Sequence, residues 1–181
     1  MARTHSHSPH RTIAGHHSTS GLRRLVPAAI LVVSLGSLGT ALVAQYVFGL
    51  IPCELCLYQR WPYRVTIVVS LLALLLLRRS RLLPAVVAFC GLVFAIGGGI
   101  AAYHVGVEQH WWQGLAACSG PPGATTLDAL RAQLMATKVA RCDQVAWSLF
   151  GVSMAGWNFL ASTIFALACL ASVRPVARAA P

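Results

Sequence analysis

"LVPAAILVVSLGSLGTALVAQYVFGL", residues 25–50, runs for 26 residues without a charge. A helix of that length, rising about 1.5 Å per residue, spans the roughly 30 Å hydrocarbon layer of a bilayer. The run is too long for the core of a signal peptide and lacks a small-residue cleavage pattern, so it reads as an uncleaved first span. Pro27 sits near its start, where proline is tolerated. Three more apolar runs follow, at about 61–77, 82–107 and 145–173. In the second, Arg64 intrudes close to the boundary, where its head group can snorkel to the interface. The third opens with Pro84 and carries Gly97, Gly98 and Gly99, small residues that allow helices to approach closely.

Composition points the same way. Of 181 residues, 57% are hydrophobic and 10% charged, whereas about a quarter are charged in an average soluble domain. The net charge of +10 does not indicate nucleic-acid binding, because the basic residues flank the apolar runs, where they orient a membrane protein. Four spans put both termini on one side. Nine Arg (3, 11, 23, 24, 78, 79, 81, 174 and 178) fall there, against five basic residues on the other side (Arg60, Arg64, Arg131, Lys138 and Arg141), so the first side is expected to be cytoplasmic. Trp61, Trp111, Trp112 and Trp147 gather at the outer boundary, as in an aromatic belt.

The expected fold is therefore all-α: a four-helix transmembrane bundle over residues 25–173, with outer loops at about 51–60 and 108–144. Residues 1–24 form a basic, histidine-containing tail expected to be disordered, and 174–181 a second short tail. Within the second loop, Leu127, Leu130 and Leu134 have helical spacing behind a capping Thr126, which predicts a short amphipathic helix on the membrane surface.

The chemistry centres on cysteine. Cys90 and Cys169 lie inside apolar runs and are expected to behave as small hydrophobes. Cys53 and Cys56 lie in the first outer loop, Cys118 and Cys142 in the second, outside the cytoplasm, where disulfides persist. Cys-Glu-Leu-Cys can form a small, easily reduced disulfide. If a helix opens after Pro52, then Cys53, Cys56 and Arg60 share one face, and Cys56 sits in a first turn that favours a thiolate, with the fixed charge of Arg60 nearby. No metal site is assigned: a four-cysteine zinc site calls for a second pair two to four apart, and Cys118 and Cys142 are 24 apart. Two structural disulfides remain an alternative, although a two-residue spacing closes too small a ring to stabilise much.

"PCELCLYQRWPY" (residues 52–63), "YHVGVEQHWW" (103–112) with Cys118 following, and "CDQVAWSLFGVSMAGWN" (142–158) resemble, in that order, the DsbB family of bacterial inner-membrane disulfide-generating oxidoreductases. The resemblance covers roughly residues 26–173. It implies an enzyme that reoxidises a periplasmic DsbA-type thioredoxin-fold thiol oxidase and passes the electrons to a membrane quinone, ubiquinone or menaquinone. It implies that Cys118 is attacked by the partner's thiolate and pairs with Cys142. Cys53 then exchanges through an interloop disulfide with Cys142, Cys56 contacts the quinone, and Arg60 stabilises the charge that develops there. The family's polar neighbour of the quinone aligns with either Glu108 or Gln109, and His104, one turn earlier, is a further candidate for hydrogen bonding or proton delivery. Two other classes stay open: an enzyme resembling vitamin-K-epoxide reductase, in which the Cys-x-x-Cys lies late in the bundle, and a membrane assembly protein with structural disulfides.

Overall fold

The structure is a computed structural model that describes residues 13–77, 80–115, 126–128, 131 and 140–179, with side chains from residue 21 onward. It is built from four long helices: α1 (Ile13–Tyr46), α3 (Arg60–Leu76), α4 (Leu83–Glu108) and α5 (Met154–Arg178). A short helix, α2 (Glu54–Tyr58), precedes α3. Where no water can bond an exposed amide, long apolar segments must satisfy their own backbone, and the helix does so within one segment. Helices α1 (from Gly21), α4 and α5 are long and apolar enough to cross a membrane; the described part of α3 is 17 residues long.

The helices pack chiefly as α4 against α5, α1 against α3 and α3 against α4. Tyr63, Phe94 and Phe165 form the aromatic centre, with ring centroids 6.0 Å and 5.4 Å apart. Around them lie Ile30, Val87, Cys90, Ala166 and Cys169, so the two cysteines of the apolar runs are free and buried in the helix core. The glycines of α4 act as the small-residue rule expects, but unequally. A Cβ on Gly97 would stand 3.0 Å from Pro62 Cγ of α3, and one on Gly98 would stand 3.5 Å from Ser162 Cβ of α5, whereas Gly99 faces open space. Ser34 and Thr66 exchange a 2.8 Å hydrogen bond that ties α1 to α3. At the end of the bundle opposite the cysteines, Arg23 is buried and donates to the carbonyls of Val176 and Ser80, joining α1 to α5 and the α3–α4 connection. Leucines such as Leu25, Leu75, Leu92 and Leu167 face outward, an arrangement suited to lipid rather than water.

Three boundaries differ from the sequence expectation. Helix α1 begins at Ile13, inside the stretch expected to be a disordered tail, and runs on through Pro27, which therefore lies inside the helix and not near its start; adding a residue to an existing helix is easier than starting one. Helix α1 also ends at Tyr46, before Leu50, and the chain turns at Gly49 with φ +67°. The fourth apolar run does not begin as a helix. Ser148–Leu149 (β1) pairs antiparallel with Val152–Ser153 (β2), and the turn residues Phe150 and Gly151 both have positive φ, so α5 starts only at Met154. Two strands of two residues are the one β feature described in an otherwise helical chain. The amphipathic helix expected from Thr126 lies largely outside the described residues, as does Cys118.

Candidate redox site at the cysteine end of the bundle

Cys53 caps α2: its sulfur accepts the backbone N–H of Cys56 at 3.4 Å. That cap brings the two free thiols to 2.9 Å. Gln59 joins α2 to α3, and Arg60, the first residue of α3, is 8% exposed and donates from Nη1 to Gln45 Oε1 of α1 at 2.6 Å. The last two turns of α4 supply His104 and Glu108, both buried. Cys142 arrives from the chain before the β-hairpin; it is fully buried and disulfide-bonded. Cys53 Sγ, a ring nitrogen of His104 and Cys142 Sγ all lie within 4.8 Å of one another, although the residues come from three separate segments. Cys53, Leu55, Val107 and Cys142 form a small core that shields them from water.

A chain of polar contacts runs inward from this cluster. His104 Nε2 is 3.6 Å from Cys53 Sγ, and its Nδ1 is 2.8 Å from Gln59 Nε2. Asn158 Nδ2 donates to Gln59 Oε1, Tyr63 OH donates to Asn158 Oδ1, and Tyr63 OH lies 3.0 Å from Ser162 Oγ. A branch leads to Glu108, whose Oε1 is 3.9 Å from His104 Nε2 and whose Oε2 accepts from Ser153 Oγ at 2.5 Å. Ser153 also caps α5 by accepting Gly156 N–H at 3.1 Å, so the hairpin, α4 and α5 meet at one hydroxyl.

The two thiols differ electrostatically. The hydrogen bond from the Cys56 thiol, aided by His104 and the Cys56 backbone N–H, holds Cys53 well below the usual thiol range despite its burial. The same bond and burial push Cys56 up. One proton is thus shared between them, with the charge on Cys53. The sequence expectation put the thiolate on Cys56; with both thiols free the charge lies on Cys53 instead, because the Cys56 thiol, His104 and the Cys56 backbone N–H converge on that sulfur.

Two cavities meet at Cys56, Arg60 and His104. One, of about 250 Å³, lies between α1, α3 and α5 and is bounded by Leu38, Ala41, Tyr63 and Asn158. The other, of about 510 Å³, reaches past Cys53 and Glu108 to Arg141 and Gln144. Gln109 follows α4 as an exposed residue, whereas Glu108 lines the larger cavity. Sequence reading singled out Cys53, Cys56, Arg60, His104, Glu108 and Cys142, and these lie together; Gln109 lies apart from them. It overlooked Gln59, Tyr63, Asn158 and Ser153. The available signal was polarity out of place: Asn158 stands inside an apolar run, and such residues mark interior sites.

The chain matches the family described as "Disulfide bond formation protein DsbB" over residues 23–172. The chain belongs to the DsbB family. Relatives include disulfide bond formation protein B of Hahella chejuensis, 33% identical over 134 residues, covering 70% of this chain and 78% of that protein. Disulfide bond formation protein B 2 of Pseudomonas aeruginosa is 31% identical over 153 residues, 82% of this chain and 89% of its own length. An uncharacterised protein of Rickettsia prowazekii, RP370, is 27% identical over 140 residues, 76% of this chain and 80% of its own length. No solved structure matches the chain significantly. The DsbB match takes in most of each long helix and every residue of the cluster.

Proposed function

We propose that this DsbB-family membrane oxidoreductase oxidises a periplasmic DsbA-type thiol protein and delivers the electrons to a membrane quinone. The observation that carries the reading is the meeting of buried Cys142 with Cys53 within 4.8 Å, where Cys53 also lines a cavity shared with Cys56 and Arg60. Sulfur-to-sulfur exchange needs such proximity, and the two residues are 89 positions apart in sequence.

In this reading the partner's thiolate attacks Cys118, forms a mixed disulfide and releases Cys142 as a thiolate. Cys142 attacks Cys53 of an oxidised Cys53–Cys56 pair, and Cys56 leaves as a thiolate. The partner's second thiolate then resolves the mixed disulfide, so the partner loses two electrons and two protons. The smaller cavity suits a quinone ring. Its walls are largely apolar, with Cys56, Arg60 and His104 at one edge, and its volume is a little below the range of about 300–1,000 Å³ for whole small-molecule sites, so it has room for a ring and not for a tail. The freed Cys118 thiolate attacks Cys142, which restores the Cys118–Cys142 disulfide and releases Cys53 as a thiolate beside Cys56. Cys53 and Cys56 then re-form their disulfide, giving two electrons and two protons to a quinone bound in that cavity. Arg60, fixed by Gln45, holds positive charge beside Cys56 and the ring edge, and His104 can hand on a proton while Gln59 and Asn158 hold its ring. In this reading the chain crosses the membrane four times, with both termini in the cytoplasm and the cysteine end in the periplasm, and the excess of basic residues at the opposite end supports that orientation.

The exchange is tested by trapping. A DsbA-type partner lacking its second cysteine should stall on Cys118, and peptide mapping without reduction should then recover Cys53 linked to Cys142. Recovery of an intact Cys53–Cys56 disulfide beside a free Cys142 would break the relay at its middle step.

A further inference from the structure

We propose that the reduced protein forms a zinc-class metal site from Sγ of Cys53, Cys56 and Cys142 and Nε2 of His104. This goes beyond the relay and does not depend on it, since it needs only the donor atoms and their thiol state.

The geometry is close to what tetrahedral zinc requires. Zn–S bonds of about 2.3 Å place two sulfurs about 3.8 Å apart. Here Cys53 Sγ, His104 and Cys142 Sγ already fall within 4.8 Å of one another, with Cys53 Sγ and His104 Nε2 at 3.6 Å. Cys56 Sγ lies outside that group of three but 2.9 Å from Cys53 Sγ, and is the fourth donor once its side chain turns toward His104 and Cys142 and draws away from Cys53. Three sulfurs and one imidazole are a donor set that selects zinc among the common divalent ions. Once the Cys142 disulfide is reduced by an external dithiol, metal uptake displaces the thiol protons and involves no electron transfer.

The surroundings fit as well. A ligating histidine presents one nitrogen to the metal and donates its other N–H to a fixed acceptor. As drawn, Gln59 Nε2 donates to His104 Nδ1, but amide oxygen and nitrogen are interchangeable in shape. Turning both amides over lets His104 Nδ1–H donate to Gln59 Oε1, Gln59 to Asn158 Oδ1, and Asn158 to the Tyr63 hydroxyl, which then donates to Ser162. The whole network reverses with every member still paired, and His104 Nε2 is left with a lone pair facing the sulfurs. Arg60, on the same cavity wall, offsets the net negative charge of three thiolates on a divalent ion. The larger cavity leads to exposed Arg141 and Gln144, which gives an entry route.

The test uses the full chain in detergent with Co²⁺ as probe, in reduced and oxidised states. The reduced protein should take up one cobalt with a sulfur-to-cobalt charge-transfer band and the visible bands of a tetrahedral ion. Zn²⁺ should abolish both, and the oxidised protein should show neither. Gln59→Ala should weaken uptake about 10–100-fold, as loss of a ligand's orienting partner does. The histidines of the N-terminal tail contain no sulfur and cannot produce the charge-transfer band. A reduced protein without that band, or one in which Cys142→Ser leaves both the intensity of the band and the cobalt affinity unchanged, overturns the site. A chain that takes up no cobalt yet oxidises its partner leaves the relay standing.

Discussion

At Cys53 three donors converge on one sulfur, and this sets the order in which the thiols ionise. A thiol held below the usual value of about 8.5 stays charged as pH falls through the range where free cysteines protonate. Reduced protein should therefore keep one equivalent of ultraviolet thiolate absorbance at pH 6, and Cys53→Ser should lose it. Persistence of that absorbance in Cys53→Ser would assign the charge to Cys56 instead. His104→Ala should move the titration upward, because it removes one of the donors on Cys53. Arg60 acts on the other side of Cys56. A hydrogen bond to a charged group contributes about 1.5–3 kcal/mol. Arg60→Ala should thus lower kcat/KM for quinone by about 10- to 100-fold with unchanged helix content, and an unaltered quinone KM and kcat would remove Arg60 from the site.

At the scale of elements, the site depends on how closely α4 approaches its neighbours. Gly97→Ala places a methyl group 3.0 Å from Pro62, in the turn that follows Arg60, and overpacking of this kind costs about 1–3 kcal/mol. Gly99→Ala, two residues on, meets nothing within 4 Å. Thermal unfolding in detergent should show a lower Tm for the first and no loss for the second; equal Tm values would mean that α3 and α4 are not in close contact there. The hairpin is the element that hydrophobicity concealed. Val145, Trp147, Leu149, Phe150 and Val152 continue the apolar run without a break, and nothing in their pattern separates them from the span. The departure from helix comes from the turn, where Phe150 adopts φ +53°, a conformation that disfavours a bulky side chain, and Gly151 φ +77°. The long helices were legible because an uncharged run reports its own length. Their ends were not, because capping through Cys53, Ser153 and Gly49 depends on local backbone geometry.

Across the whole molecule, the cysteine end of the bundle gathers residues from every long helix except the outward faces, and the opposite end is closed by Arg23 on the carbonyls of Val176 and Ser80. The place of Cys53, Cys56 and Cys142 in the cluster was legible from their position in polar breaks between apolar runs. Arg60 was legible from its spacing after Cys56, and His104 and Glu108 from their place at the end of the third run. The link from His104 through Gln59 and Asn158 to Tyr63 was not, since it joins residues 45 and 99 positions apart through tertiary packing alone. The meeting of Cys142 with Cys53 is likewise tertiary, since it joins residues 89 positions apart. For two electrons a 30 mV gap corresponds to about 1.4 kcal/mol, so a quinone more oxidising than the protein disulfides can drive the relay without another energy source. The decisive measurement is anaerobic quinone reduction by purified protein supplied with a reduced DsbA-type partner. The relay predicts one quinone reduced per partner disulfide formed, with turnover abolished in both Cys56→Ser and Cys118→Ser. Folded protein that reduces neither ubiquinone nor menaquinone, or that keeps turning over without Cys56, would contradict it.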